Sequence, residues 1–172
     1  TSQAKLGWVS VRECPPRAWP GTARVTLATV VSIAVLQPSE VAYVDRCLPL
    51  SRLDQQIEQG STYLVAWDDD QPVGHAHIAW VGTHMGVPEI QDVFVLPERR
   101  RQGIGTQLTD AAEQEARERG WESISLSVSR DGNVAARSLY AKLGYIDAGD
   151  DAVRISGVIT LRGHPFEVDD TL

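Results

Sequence analysis

Leu96 to Leu108 reads "LPERRRQGIGTQL", three consecutive arginines at Arg99, Arg100 and Arg101 followed by Gly103-Ile104-Gly105. From Ile104 onward the apolar residues recur at helical spacing. A strand that ends in a glycine-containing loop and feeds a helix presents unpaired backbone N–H groups at the positive end of the helix dipole. That is a phosphate cradle in outline. Glycine at 103 and 105 keeps side chains from holding an anion off the backbone, and guanidinium groups add charge-assisted contacts. The same residues also read as a charged surface turn before a glycine-weakened helix, so the surroundings decide. Two phosphate motifs are excluded directly. A P-loop needs Lys after its last glycine, where Thr106 stands, and a dinucleotide fingerprint needs a third glycine where Leu108 stands.

Working outward, "PEIQDVFVL" predicts a strand leading into the cradle. Before it, "STYLVAW" and "QPVGHAHIAWVG" form a hairpin through Asp68-Asp69-Asp70-Gln71-Pro72, whose acidic triplet reads as a solvated turn. After the cradle, Ile104, Leu108, Ala111, Ala112 and Ala116 line one helix face, with Asp110, Glu113, Glu115, Arg117 and Glu118 mostly on the other. Gly120 closes that helix. "ESISLSVS" reads as a strand, "NVAARSLYAKLG" as a helix of about three turns and "RISGVITL" as a late strand. Nearer the start, "WVSV" is a short strand and "CPPRAWPG" an irregular loop, while Val25 to Leu36 fits a buried strand or a buried helix. "SEVAYVDRCL" and "LSRLDQQIEQG" are helical, the second stopping at Gly60, and the final "HPFEVDDTL" is an acidic tail. Paired strands followed by strand-helix-strand-helix-strand imply an α/β (α+β) fold, a mixed sheet with helices on its faces.

A chain of 172 residues suits one domain and needs no metal or disulfide staple. With 42% hydrophobic and 23% charged residues it is composed like an ordinary globular protein, not a disordered one. A net charge of -7 argues against nucleic acid as a partner, because that binding depends on Lys and Arg neutralising phosphates. Cys14 and Cys47 lie far apart with no zinc-ligand spacing, which predicts two free, buried thiols in a reducing cytoplasm. The apolar run from Val25 to Leu36 is too short to span a bilayer, and no signal-peptide pattern opens the chain. The expectation is a cytoplasmic protein without membrane contact.

The cradle resembles the [QR]-x-x-G-x-[GA] signature of the GNAT superfamily of acetyl-CoA-dependent N-acetyltransferases, matched at Arg100, Gly103 and Gly105 with the apolar-x-Val-x-Pro-Glu lead-in at Phe94 to Glu98. Downstream, "NVAARSLYAKLGY" resembles the family's next motif, N-x-x-A-x-x-L-Y-x-K-x-G-[FY], with Asn133, Ala136, Leu139, Tyr140, Lys142, Gly144 and Tyr145 in register. The likeness covers Thr62 to Tyr145 and is thin over the first sixty residues.

That resemblance implies a mixed, mostly antiparallel central sheet with helices on both faces and a splayed strand pair at the cofactor site. It implies a single N-acetyltransferase domain over 1–172: a variable acceptor side at 1–60, the coenzyme A-binding core at 61–145, and the last strands and tail at 146–172. Acetyl-CoA is the implied co-substrate, with no metal. Backbone contacts to its pantetheine arm fall to Phe94 and Val95, and phosphate contacts to Arg100, Arg101, Gln102, Gly103, Ile104, Gly105 and Thr106. Asn133 adds a polar contact. Tyr140 matches the family tyrosine whose hydroxyl approaches the sulfur, which makes it the acid candidate and a cofactor contact. Glu89 is the preferred base. Asp92 competes for that role from the opposite face by strand alternation, and His75 and His77, sharing one face, offer imidazoles of suitable pKa beside His84 in the next loop. Trp67, Trp80 and Trp121 read as core or cleft wall. The implied acceptor is a primary amine on a small molecule, a cationic one suiting the acidic chain. A protein Lys or N-terminal acceptor, and a non-catalytic acyl-CoA sensor, stay open as alternatives, and a homodimer is compatible with the sequence.

Overall fold

β-Branched and aromatic residues alternating across the middle of the chain build the sheet on which the cradle sits. In the computed structural model, which describes residues 9–13, 31–51, 53, 60–128, 134–147, 154–161 and 164–171, the elements run β1 (Val9–Glu13), β2 (Ser32–Val35), α1 (Val41–Cys47), β3 (Thr62–Asp68), β4 (Gln71–Ala79), β5 (Glu89–Val95), α2 (Ile104–Glu118), β6 (Ser123–Ser127), α3 (Val134–Lys142), β7 (Ile146–Asp147), β8 (Arg154–Leu161) and β9 (His164–Thr171). A single turn of 3-10 helix, Pro97–Arg99, separates β5 from the cradle. The main sheet has the order β2-β3-β4-β5-β6-β1-β7, antiparallel at every pairing except β5 with β6.

Each sheet face buries its own core. Leu64, Ala66, Ala76, Ile78, Ile90, Ile124 and Leu126 pack against the Ile104, Leu108, Ala112 and Ala116 stripe of α2 and against Tyr140 of α3. On the opposite face Tyr63 and Val65 meet Val44 of α1 with Leu48, Leu50 and Leu53 behind it. Helices therefore cover both faces, as the resemblance implied. A fully buried Leu or Ile here contributes roughly 1.5–3 kcal/mol, and Ile78, Ile90, Ile104, Leu108, Ile124 and Leu126 are all in that state.

Both central helices stop by the same device. Gly120 and Gly144 take left-handed φ values of +84° and +86°. Their amides, and those of the residues after them, return to the last turn: Gly120 to Arg117, Trp121 to Ala116, Gly144 to Ala141 and Tyr145 to Tyr140. In this arrangement the residue after the glycine packs on the last turn, and the Tyr145 ring accordingly meets Tyr140 edge-on at 5.7 Å. The Gly-[FY] pair of the second motif is thus a helix stop that also buttresses Tyr140.

Several expectations are corrected. Within the Val25 to Leu36 run, the described part is strand β2 at the sheet edge, flanked by buried Val31 and Leu36 but itself mostly exposed. "RISGVITL" does not join the main sheet, and "HPFEVDDTL" is no tail: they pair as an antiparallel two-stranded sheet, from Arg154 opposite Thr171 to Leu161 opposite His164. The reason lies in β8, whose backbone groups need a partner strand, and in the His-x-Phe-x-Val alternation that overrides the acidic composition. Glu113 is buried on the core side of α2, where it accepts a hydrogen bond from the Tyr145 hydroxyl at 3.1 Å and lies 3.6 Å from Arg117. Cys47 is exposed, not buried, because it follows Val44 at the end of the short α1 and lies off its apolar stripe. Cys14, Trp8, Asn133 and most of "LSRLDQQIEQG" lie outside the described residues.

Candidate active site

β5 parts from β6 and slips in register against β4. Toward β6 it pairs only through Glu89 with Ser125 and Ile90 with Leu126, so from Gln91 onward a gap opens between the two parallel strands. Toward β4 the register slips, with His77 opposite Gln91 but His75 opposite Phe94. One extra residue therefore sits in β5, and Asp92 at φ +52° absorbs it. A bulge of this kind bends and twists a strand, which turns β5 away from β6.

The bulge also resets side-chain direction. Glu89 and Gln91 share a face with His75 and His77, and after the inserted residue Phe94 returns to that face, stacking on His75 at 5.7 Å. Asp92 points to the same side, since it accepts a hydrogen bond from the Ser51 hydroxyl. The alternation argument that set Asp92 opposite Glu89 is thereby overturned: both carboxylates lie on the α1 side of the sheet. Glu89 accepts a hydrogen bond from Ser127 Oγ at 2.7 Å.

Leu96 donates its amide to Val73 of β4 at 3.0 Å, so successive backbone groups place the Val95 amide and carbonyl on the side away from β4. The Phe94 carbonyl faces β4 instead. A Cβ placed on Gly74 would come within 2.7 Å of it, which is why β4 carries glycine there. Val95, not Phe94, thus offers main-chain groups to the gap. Arg100 Nε donates to the Val95 carbonyl at 3.0 Å, with its guanidinium 6.0 Å from the Phe94 ring.

At the cradle, Arg101 and Gly103 take φ +62° and +83°. Left-handed residues at alternate positions are the backbone pattern from which an anion nest is built. No side chain caps the start of α2, and Gln107 is the first amide with a helical acceptor, the Gly103 carbonyl at 3.0 Å. A Cβ at Gly103 would meet nothing within 4 Å, whereas one at Gly105 would lie 3.5 Å from Leu139 of α3. Ile104 is buried as the anchor of the helix, Thr106 is half-buried, and Gln102 Nε2 donates to the Glu98 carbonyl at 3.3 Å.

The three arginines divide their work. Arg99 pairs with Asp68 of the hairpin turn at 2.5 Å, which removes one carboxylate from the triplet read as solvated. Arg100 lies along β5, and Arg101 is exposed at the nest.

Tyr140 is 6% exposed, and burial pushes its hydroxyl up to about 12. It belongs to the α2-side core, so it and Glu89 lie on opposite faces of the sheet. His75 and His77 are fully buried. A hydrogen bond of 2.7 Å joins His77 to Ser61, and His75 Nε2–H donates to the Pro49 carbonyl at 3.1 Å. His84 is exposed in its loop. Trp80 is core, its indole N–H donating to Thr62 at 2.9 Å under the Arg119 guanidinium.

Burial holds the His75 imidazole below its ordinary 6.5, against the raising effects of the Asp92 charge and the Pro49 carbonyl. Among the described residues Asp92, Tyr63 and Phe94 face it, with His77 two positions along the same strand face. The unfolded chain therefore takes up a proton below pH 6.5 that the native state refuses, and stability falls as pH drops through that point. Calorimetric Tm measured between pH 7.5 and 5 is expected to decline on the acid side, and His75→Gln to flatten the decline.

Ser51, Ser127 and the Glu113–Tyr145 pair were not singled out from sequence. Glu113 alone had a signal, since Thr109, Ala112, Glu113 and Ala116 follow i, i+3, i+4, i+7 spacing.

Residues 27–145 match the family described as "Acetyltransferase (GNAT) family". A curated aminoalkylphosphonate N-acetyltransferase from Salmonella typhimurium is 42% identical over 69 residues, a stretch that spans 40% of this chain and 40% of that protein. An aminoglycoside N-acetyltransferase solved with CoA superposes with a TM-score of 0.60 at 17% identity, over 73% of this chain and 99% of its own. A ribosomal-protein-alanine N-acetyltransferase from Brucella melitensis gives 0.56 at 21%, over 72% and 98%. Among the described residues no helix is long and apolar enough to cross a membrane, and no cluster of metal-ligating side chains is present.

Proposed function

The chain belongs to the GNAT acetyltransferase family, and from that premise we propose that it is an acetyl-CoA-dependent N-acetyltransferase acting on a primary amine of a small molecule. The observation that carries the proposal is the uncapped, nest-like start of α2 beside the gap between β5 and β6. Open space where a Gly103 side chain would stand, with unsatisfied helix-start amides around it, suits a diphosphate.

Val95 main-chain groups would hold the pantetheine arm in the gap, and the amides from Arg101 to Thr106, with the Arg100 and Arg101 guanidiniums, the diphosphate. Asn133 adds a polar contact. When bound, acetyl-CoA supplies the acyl group as an activated thioester. An amine with a pKa of about 10 is neutral in only about one molecule per thousand at pH 7, so a base is useful, worth about 100-fold or more. Glu89 takes that role, oriented by Ser127 and acting through water, with Asp92 the next carboxylate on the same face. Tyr140 serves the sulfur. With its hydroxyl pushed up to about 12 it keeps its proton at neutral pH and donates a hydrogen bond to the departing thiolate. Of the two protons the ammonium gives up, one leaves through the base to solvent and the other ends on sulfur.

The small-molecule acceptor is supported by the name of the 42% identical relative. The three-part division of a single domain keeps its role here, the segment before residue 61 walling the acceptor side. A reducing cytoplasm suits the unpaired Cys47. The test follows thiol release from acetyl-CoA with aminoalkylphosphonates, aminoglycosides, polyamines and peptides bearing free N-termini. Release with a small amine is expected. Release with peptides alone would move the acceptor to protein, and binding of acetyl-CoA without release by any amine would make the chain a sensor.

A further inference from the structure

On the α1 side of the sheet, one continuous hydrogen-bonded link joins β4 to the β5 bulge through a segment that belongs to neither. His75, fully buried at the centre of β4, donates from Nε2 to the Pro49 carbonyl at 3.1 Å. The same carbonyl accepts the Ser51 amide at 2.9 Å. The Ser51 hydroxyl in turn donates to Asp92, the residue inserted in β5. The imidazole is held between Tyr63, edge-on at 5.5 Å, and Phe94, stacked at 5.7 Å. A leucine of similar size would fill that slot as well, so packing alone does not call for a buried ring that must find a partner in a non-polar layer. What the imidazole adds is a directed N–H.

We propose that His75 is a positioning residue: through the Pro49 carbonyl it fastens Pro49 to Ser51 onto the bulge and so sets Asp92 and the acceptor wall as one unit. The inference about the acceptor rests on the acetyl-transfer reading above, in which Glu89, on this same face, takes the proton of the incoming amine. The fastening itself does not depend on that reading.

The experiment is hydrogen exchange on the full chain, comparing wild type with His75→Leu, which removes the donor, and His75→Gln, whose side-chain amide restores an N–H. In His75→Leu the amides of Leu50, Ser51 and Leu53 are expected to exchange about tenfold faster, the scale of one lost hydrogen bond. Those of α2 should stay as in wild type and coenzyme A affinity should be unchanged. His75→Gln should recover most of the protection. Unchanged exchange at 50–53 in His75→Leu, or a His75→Gln variant as impaired as His75→Leu, overturns the proposal, because the ring would then act by volume alone. Ser51→Ala breaks the link outside the core and covers a His75→Leu chain that fails to fold. It is expected to speed exchange at the same amides, and unchanged exchange there overturns the proposal equally. With saturating acetyl-CoA and 2-aminoethylphosphonate as the amine, KM is expected to rise about tenfold in His75→Leu with kcat little changed. Wild-type protein that turns over no amine sinks the acetyl-transfer reading while the exchange result decides the fastening.

Discussion

Tyr140→Phe is expected to slow thiol release about 100-fold, the lower range for loss of a positioned proton donor, while coenzyme A binds with unchanged affinity. The substitution removes one oxygen and leaves the ring, which packs in the α2-side core and against Tyr145. Binding should survive because the proposed phosphate contacts come from the start of α2, a separate element. The hydroxyl is held up to about 12 by burial, so its ionisation lies outside the range of an ordinary assay. The rate profile between pH 6 and 9 is therefore expected to keep its shape in Tyr140→Phe, with the whole curve lowered. Calorimetry against coenzyme A and a stopped-flow thiol assay on the same preparation separate the two effects. An unchanged rate removes Tyr140 from the chemistry, and a lost affinity makes it a binding residue.

The elements around the cradle were legible because local chemistry and fold agree there. β3, β4, β5, α2, β6 and α3 all stand where the alternation, the helical stripe and the glycine stops put them. The errors have physical causes. Strand alternation along β5 sets Asp92 opposite Glu89, and nothing in Gln91-Asp92-Val93 announces the bulge that returns it to the same face. Charge alone sends Glu113 to solvent, but its spacing belongs to the buried stripe, where it meets Tyr145. Asp68 and Arg99 are 31 residues apart, and only the return of β5 alongside the hairpin brings them together. Composition makes the acidic C-terminal stretch a tail, whereas the hydrogen-bonding demand of β8 decides its conformation. For the same reason Ser51 escaped notice: a lone serine becomes informative only when a folded neighbour presents it with a carboxylate.

Gly103→Val should weaken coenzyme A binding by about 10- to 100-fold, equivalent to about 1.4–2.8 kcal/mol, whereas Gly105→Ala should change it little. The two glycines are two residues apart and look interchangeable in sequence, yet the backbone distinguishes them. Gly103 holds φ +83° at the N-cap of α2, a conformation that costs a β-branched residue on the order of 1–3 kcal/mol. Valine can relieve that strain only by rotating the amides of Gly103 and Ile104 away from their common point, and those amides form the nest. Its side chain would also occupy the space now open in front of them. Gly105 sits inside the helix with ordinary helical backbone, and its added methyl would meet Leu139 at 3.5 Å, a normal contact. Alanine there also gains helix propensity of about 0.5–1 kcal/mol, so Gly105→Ala is expected to raise Tm slightly. Calorimetric titration with coenzyme A, alongside Tm for each variant, checks both halves. If Gly105→Ala lost affinity as severely as Gly103→Val, the diphosphate would have to sit against the Gly105 Cα instead of in the nest, and the cradle would need to be redrawn around the α2–α3 contact.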